Sequence, residues 1–390
     1  MQTAAVTKSE LAEVLLRAAD GGVAALRWTL TLQPVGGPGD KVFPPTYEGG
    51  QYATEQRLLN NRTIDTVLLD SVQSQANRLE QQLLRAFRAG EIQMPVVSLN
   101  IGGHGTVTSL DAPHRIVDAI FRDALWEGKT FRKSQPGARI IAARPQNASA
   151  MMEYCPTALL FGSWDSHGSD TLGGAKFARC VVSEIVGWDA VPGKRTSSRI
   201  DPLGIRAMAG TIFESNDEQW TLVPGEKFYG KKGTPSEIGH GNVTPTISEN
   251  GGFTISRATQ TAVISFAQLR QLSFPGLDGV VPERDRAGRA LLAALGLLAL
   301  TLQWQDGYQL RSRCLLVGEE PPRIELLGLT DKGDQTLQID RAEVLSAFHA
   351  CRSRALQAGI AWAEGEIELQ PTAKLLELVG KSDGTVSAES

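Results

Sequence analysis

The spacing of hydrophobic and polar positions along this 390-residue chain changes repeatedly. Thr7-Lys8-Ser9-Glu10-Leu11 opens a short helix, with Thr7 or Ser9 as its cap. Apolar and polar residues then alternate from Leu26, which predicts a half-buried strand over Gly22–Gln33. Residues 34–50 hold four prolines and five glycines and read as a loop. Val67, Leu68, Val72, Leu79, Leu83, Leu84 and Phe87 recur at helical spacing and predict a long helix over Ile64–Ala89, stopped by Gly90. Met94–Ile101 reads as a buried strand, Gly102–Gly105 as a turn, and His114–Glu127 as an amphipathic helix.

Further strands are expected at Thr157–Trp164 and Phe177–Ile185, separated by the Gly/Ser/Asp-rich loop Ser163–Gly174. Lys194–Ile205 reads as an irregular basic loop. Residues 228–250 carry little periodicity and are too long for an ordinary connection. Phe253–Phe266 reads as a strand with a hairpin or bend near Arg257, followed by a helix at Arg284–Leu302, a strand at Gln309–Val317 and a helix at Arg341–Ala358. The order is that of an α+β fold with one core and long insertions. No internal repeat is present.

Composition adds little except locally. A hydrophobic fraction of 42% and a charged fraction of 21% are ordinary for a globular chain and exclude wholesale disorder. The net charge of −4 does not suggest a broadly basic nucleic-acid binder. The excess acid lies in the last 60 residues, where 10 acidic groups face 6 basic ones. Within the balanced remainder, Lys129–Arg144 carries Lys129, Arg132, Lys133, Arg139 and Arg144 without an acid. Lys194–Arg206 carries four cations against Asp201. Such patches are either solvated surface or sites of phosphate attraction. Cys155, Cys180, Cys314 and Cys351 lie far apart with no CxxC, so a zinc site is not expected. No signal peptide opens the chain, and Leu291–Leu302 is too short to span a bilayer, so a cytoplasmic protein with no membrane contact is expected. No motif calls for a cofactor; GxxxxGK[ST] is absent.

The most informative segment is Asp70–Glu80, dense in amides and hydroxyls. On a helix Gln73, Asn77 and Glu80 share one face, with Ser74, Arg78 and Gln81 on its neighbour. Amides and Arg suit phosphates and ribose hydroxyls, although an ordinary solvated face fits the spacing as well. Gln56-Arg57 adds polar groups upstream. The loop Arg195–Arg206 mixes Arg, hydroxyls, Pro and Gly, which suits phosphate contact, although Asp201-Pro202 is also a plain turn signal.

The segments YEGGQY, LLDSVQSQANRLE, TALLFGSWDSHG and SSRIDPLGI, in this order, resemble the backbone subunit of the type I-G (formerly I-U) CRISPR Cascade. That subunit belongs to the seventh Cas family, in the RAMP superfamily. The resemblance covers about residues 20–370. It implies a modified RRM (ferredoxin-like) palm spanning residues 1–380. Insertions are expected near 34–63, 130–150 and 163–176, with a thumb-like extension over 226–257 and a disordered tail at 381–390. It further implies polymerisation along CRISPR RNA as a helical filament with further copies of itself and other Cascade subunits. Target DNA is met through base pairing with the guide. Guide-binding candidates are Arg57, Gln73, Ser74, Asn77, Arg78, Arg139, Arg144, Lys194, Arg195, Arg199, Arg206, Lys231, Lys232 and Arg257. Phe228, Tyr229 or Phe253 are candidate stacking groups. No RNP1-type aromatic signature is present, so bases are not expected to be read on the open sheet. The acidic end is expected to meet a basic surface of the next copy through Glu364, Glu366 and Glu368.

No catalysis is expected. One alternative is a RAMP-type RNA endonuclease using Asp165, Asp170 or Asp201. The other is an unrelated enzyme built on the Gly102–Gly105 turn and His104.

Overall fold

The structure is a computed structural model that describes residues 3–5, 10–165, 176–206, 208–215, 219–328 and 334–389. The main sheet contains ten strands. The first five are β1 (Thr3–Ala5), β2 (Val23–Pro34), β3 (Thr54–Leu59), β4 (Arg62–Asp70) and β5 (Val181–Trp188). The others are β6 (Arg257–Ser265), β7 (Tyr308–Arg311), β8 (Cys314–Gly318), β9 (Arg323–Gly328) and β10 (Gln335–Gln338). They lie in the order β1-β10-β9-β2-β6-β5-β4-β3, with β8 paired to the end of β2 and β7 to β8. Neighbours are antiparallel except β1 on β10.

Helices α1 (Glu10–Asp20), α2 (Val72–Arg88) and α3 (Pro282–Asp306) cover one face, and α4 (Arg341–Gln357) packs outside α1 and α3. With the hairpins β3–β4 and β7–β8 set aside, the chain runs β2, α2, β5, β6, α3, β9, and its four strands are adjacent in the sheet. The alternation seen from Leu26 sends Leu26, Trp28, Leu30 and Leu32 into the core beneath the helices. Arg27, Thr29 and Thr31 point to the other face, in register with Val263, Thr261 and Thr259 of β6.

α3 is buried almost all round from Ala287 to Gln303, which is why its apolar run shows so little amphipathic period. It is long and apolar enough to cross a membrane but lies inside the fold. Gly296, the interruption in that run, faces the sheet closely; a Cβ there would stand 3.0 Å from Val181 Cγ2 and 3.5 Å from Ile264 Cδ1. A smaller sheet carries Thr106–Thr108, Val96–Asn100, Glu366–Pro371, Ala124–Trp126 and Lys129–Thr130 in that order, and its apolar residues join the same core.

Several expectations need correction. The long helix begins only at Val72, with Ser71 accepting from the Ser74 amide at 3.2 Å, because 62–70 pairs as β4 between β3 and β5. The helix expected at His114–Glu127 is broken into turns and the strand Ala124–Trp126. Asp118 caps a four-residue helix there, and Arg115 is left-handed at φ +55°. The strand expected at Thr157–Trp164 is a buried helix, Pro156–Phe161, with Pro156 starting it, and only Ser163–Trp164 is extended. An apolar run of this length fits either state. Gln309–Val317 is the hairpin β7–β8. The tail expected from 381 instead continues helix α5 (Ala373–Glu389).

The stretch expected to extend from the fold at 226–257 pairs with residues 191–199. Between β5 and β6 the chain leaves the sheet through Val191–Pro192 paired with Phe253–Thr254. It continues as the ribbon Arg195–Arg199 with Val243–Ser248. The basic loop at 194–205 and the stretch at 226–257 are therefore two sides of one arm spanning 191–254. Gly251 permits its base; a Cβ there would lie 2.0 Å from the Lys194 carbonyl carbon.

Candidate nucleic-acid interface

The N-terminal half of α2 separates two roles that its spacing left mixed. Gln75, Ala76, Leu79 and Glu80 are buried, whereas Gln73 and Asn77 are exposed. Arg78 is a clamp. Its Nε donates to the buried Asp70 carboxylate at 2.9 Å, Nη1 to the Gln309 carbonyl at 3.0 Å, and Nη2 to the Leu310 carbonyl. Arg311 and Gln75 complete the shell around Asp70. Arg78 therefore ties α2 to β4 and β7 and is not a guanidinium held out for phosphate. Ser74 spends its amide on the helix cap.

Gln73 and Asn77 border a cleft of about 420 Å³ between α2, the His114–Arg115 turn, the Phe161–Trp164 corner and Lys176–Arg179. Arg115 lines it and is held from beneath by the buried Glu80, with Nε and Nη2 each 2.7 Å from a carboxylate oxygen and Nη1 donating to the Gly162 carbonyl at 3.0 Å. Arg115 also lies 5.6 Å from the Phe161 ring centre. Burial pushes the Glu80 carboxyl up to about 7, against the opposing pull of Arg115. At the mouth, Trp164 is 62% exposed, with Lys176 Nζ 5.8 Å from its ring centre. His114 and Arg179 are exposed.

Three other candidates are held by structural bonds. Arg57 spans the polar sheet face to Glu184 at 2.8 Å and Glu55 at 2.6 Å. Arg139 pairs with Glu153 at 2.8 Å. Arg144 donates to the Ile141 and Ala143 carbonyls. Of the expected basic patch at 129–144, Lys129 and Lys133 remain exposed, while Arg132 grips Asp165.

The arm holds the freer cations. Arg195 and Arg206 are exposed and form no ion pair among the described residues. Lys194 reaches Glu249 at 3.3 Å in full solvent, and Arg199 stands 3.7 Å from Asp201. The Lys231 and Lys232 amides donate to Glu237, which turns the chain and leaves both ammonium groups exposed. Arg257 sits at the arm's root, 5.9 Å from the Trp188 ring centre. Phe228 is exposed and packs on Phe213 at 5.6 Å; Tyr229 is half-buried. Phe253 is not a stacking candidate, because it is 5% exposed and seated edge-on against Tyr52.

The alternative catalytic acids fare differently. Asp165 is 4% exposed, with both oxygens 2.9 Å from Arg132 Nη2. Asp201 is buried at the arm's tip and accepts from the amides of Leu203, Ile205 and Gly241. Burial raises its pKa, but those amides and the His240 ring outweigh that effect and hold it below the usual carboxylate value. Asp170 lies outside the described residues, as do Ser166 and His167. The Gly102–Gly105 turn closes a hairpin of the smaller sheet, with the Gly102 amide on Asn100 Oδ1 at 2.9 Å. All four cysteines are buried, and burial pushes their thiols up, which makes them inert core side chains.

Sequence reasoning did not single out His114, Trp164, Lys176 or Arg179 as a group. Trp164 stood only as the end of an expected strand, because the residues around it lie about 50 to 90 positions upstream or at 176–179. No curated protein matches the chain. Residues 26–192 match the family model described as CRISPR-associated protein GSU0053 (Cas_GSU0053). That segment runs from the central strand through α2 and both walls of the cleft to the root of the arm, and the match supports a CRISPR-associated protein.

Proposed function

We propose that the chain is the guide-RNA-binding backbone subunit of a type I-G CRISPR Cascade, polymerising along CRISPR RNA and presenting it for pairing with target DNA. The observation that carries this reading is the arm at 191–254, which leaves the sheet between two central strands and holds cations not consumed by the fold. The β2-α2-β5-β6-α3-β9 connectivity supports a ferredoxin-like palm, since strand–helix–strand–strand–helix–strand is the order of that unit. Arg, Lys, hydroxyls and amides on such an arm fit a protein that leaves sequence choice to base pairing and contacts backbone alone. Copies stacked head to tail form an interface whose rotation need not close, hence a filament.

In this reading the subunit has no catalysis of its own. Supporting that, Asp165 and Asp201 are each committed to structural bonds. A metal-dependent cleavage assay on complementary target RNA tests it: cutting abolished by Asp165→Ala would favour the endonuclease instead.

The direct test is expression with and without a cognate CRISPR array, alongside the partner subunits. A large species that carries repeat-spacer RNA is expected only with the array. Arg206→Glu with Arg195→Glu should weaken it and flatten its salt dependence by about one unit of slope per lost phosphate contact. Arg78→Glu is unsuitable, because it breaks the Asp70 clamp and reports on folding. A nucleic-acid-free monomer under every condition overturns the proposal.

A further inference from the structure

The cleft beside α2 has the parts of a nucleotide site, and its chemistry differs from that of the arm. Trp164 is a large aromatic side chain left 62% exposed on a short, paired strand corner, where an apolar ring gains nothing from water. Lys176 lies across the strand pair with Nζ over that ring, 5.8 Å from its centre, so a cation is held on one face of the platform and the other face is left for a base. Between Trp164 and the core, Ser163 is only 8% exposed, and its buried Oγ has no hydrogen-bond partner among the described residues. An orphaned buried hydroxyl is unfavourable unless something else meets it. Opposite stand the exposed amides Gln73 and Asn77, one helical turn apart, over a space of about 420 Å³. Arg115 closes the cleft from below, its Nε and Nη2 already committed to the buried Glu80 carboxylate.

We propose that this cleft holds one nucleotide of single-stranded RNA, its base stacked on Trp164, its phosphate near Lys176, and its ribose hydroxyls within reach of Ser163, Gln73 and Asn77. A ring offers its face to any base, so such a site is indifferent to sequence. Hydroxyl and amide groups at the ribose favour RNA over DNA through the 2′-OH. The inference rests on the RNA-binding reading above, but it places a stacking group in the palm and not on the arm.

The test measures binding of a fluorescently labelled single-stranded oligoribonucleotide to the purified chain. It compares the unmodified protein with Trp164→Ala, Trp164→Phe and the arm variant Arg206→Glu. Trp164 is exposed, so neither substitution at that position should alter thermal unfolding. Trp164→Ala should weaken binding by about 5- to 100-fold, the range of one lost base stack, and Trp164→Phe should retain most of it. On an oligomer of the same length with abasic ribose throughout, the unmodified protein and Trp164→Ala should bind alike, while Arg206→Glu should still weaken binding. If Trp164→Ala binds intact RNA as tightly as the unmodified protein, or loses as much on abasic RNA, the stacking site is wrong and the backbone-subunit reading stands on the arm. If the unmodified protein binds no RNA, alone or when made with a CRISPR array, both fall.

Discussion

Arg115 holds Glu80 by two 2.7 Å hydrogen bonds where neither side chain is more than 7% exposed. In such a place the desolvation of two charges rivals their attraction. The Glu80 carboxyl, pushed up to about 7, reports that balance. The folded value lies above the ordinary value of 4.5, so between these limits the folded chain keeps a proton that the unfolded chain has released. This contribution to stability is full below pH 4.5 and is lost as pH rises through about 7. Arg115→Met leaves a buried carboxylate unpaired and should lower stability by about 3–5 kcal/mol at neutral pH. The loss should be smaller at pH 5, where Glu80 holds its proton. Adding Glu80→Met should restore most of it, as measured by urea unfolding at both pH values; a double variant as weak as the single one would show that the pair contributes net stability. None of this was legible from spacing. Gln73, Asn77 and Glu80 fall on one helical face, and only Arg115, presented from a left-handed turn 35 residues away, decides that Glu80 turns inward.

Among the elements, the strongly periodic ones were readable and the short apolar ones were not. β2 and α4 follow directly from alternation and helical spacing. β4 did not, because Val67 and Leu68 fit a helical period as well as they fit a strand, and pairing with β3 and β5 decides for the strand. The arm was legible only as two irregular stretches, since register between Arg195 and Ser248 spans 53 residues and carries no local signal. Its tip has few buried apolar side chains; Ile200, Leu203 and Met208 are at least 78% exposed. Order there depends on Asp201 gathering three amides. Because that carboxyl titrates below its ordinary value of 3.8, the stabilisation is full above that value and fades as pH falls through the lower folded one. Protection of the Leu203, Ile205 and Gly241 amides, measured relative to intrinsic exchange at each pH, should therefore fall on acidification. Asp201→Asn should produce the same loss of protection at neutral pH with the palm unchanged. Protection unaltered by Asp201→Asn would mean that the ribbon alone orders the tip.

At the scale of the whole molecule, the arm and the main-sheet body are separable in a way that the proposed assembly can exploit. The acidic end offers one test: Glu364 is engaged by Arg352, whereas Glu366 and Glu368 are exposed on a central strand of the smaller sheet. Reversing both to Lys should disrupt the RNA-bound assembly, seen as a smaller species in size-exclusion chromatography, while unchanged assembly rules out that contact. The arm offers the sharper test. Gly193 and Gly251–Gly252 already hydrogen-bond across its base, with the Gly193 amide on the Gly252 carbonyl at 2.8 Å and the Gly251 amide on the Gly193 carbonyl at 3.0 Å. The pairing of β5 with β6 is complete before the arm begins. Replacing residues 194–250 by a two-residue Asn-Gly turn asks that base to act as an ordinary hairpin. The palm core contains no residue of the removed segment. The shortened chain should therefore unfold cooperatively within a few degrees of the intact protein, and the cleft should still bind RNA through Trp164. What should disappear is the array-dependent large species, because in the proposed assembly the arm supplies the reach from one copy to the next. A shortened chain that still assembles on guide RNA would shift the interface to the palm, and one that fails to fold would make the arm part of the core that the packing excludes.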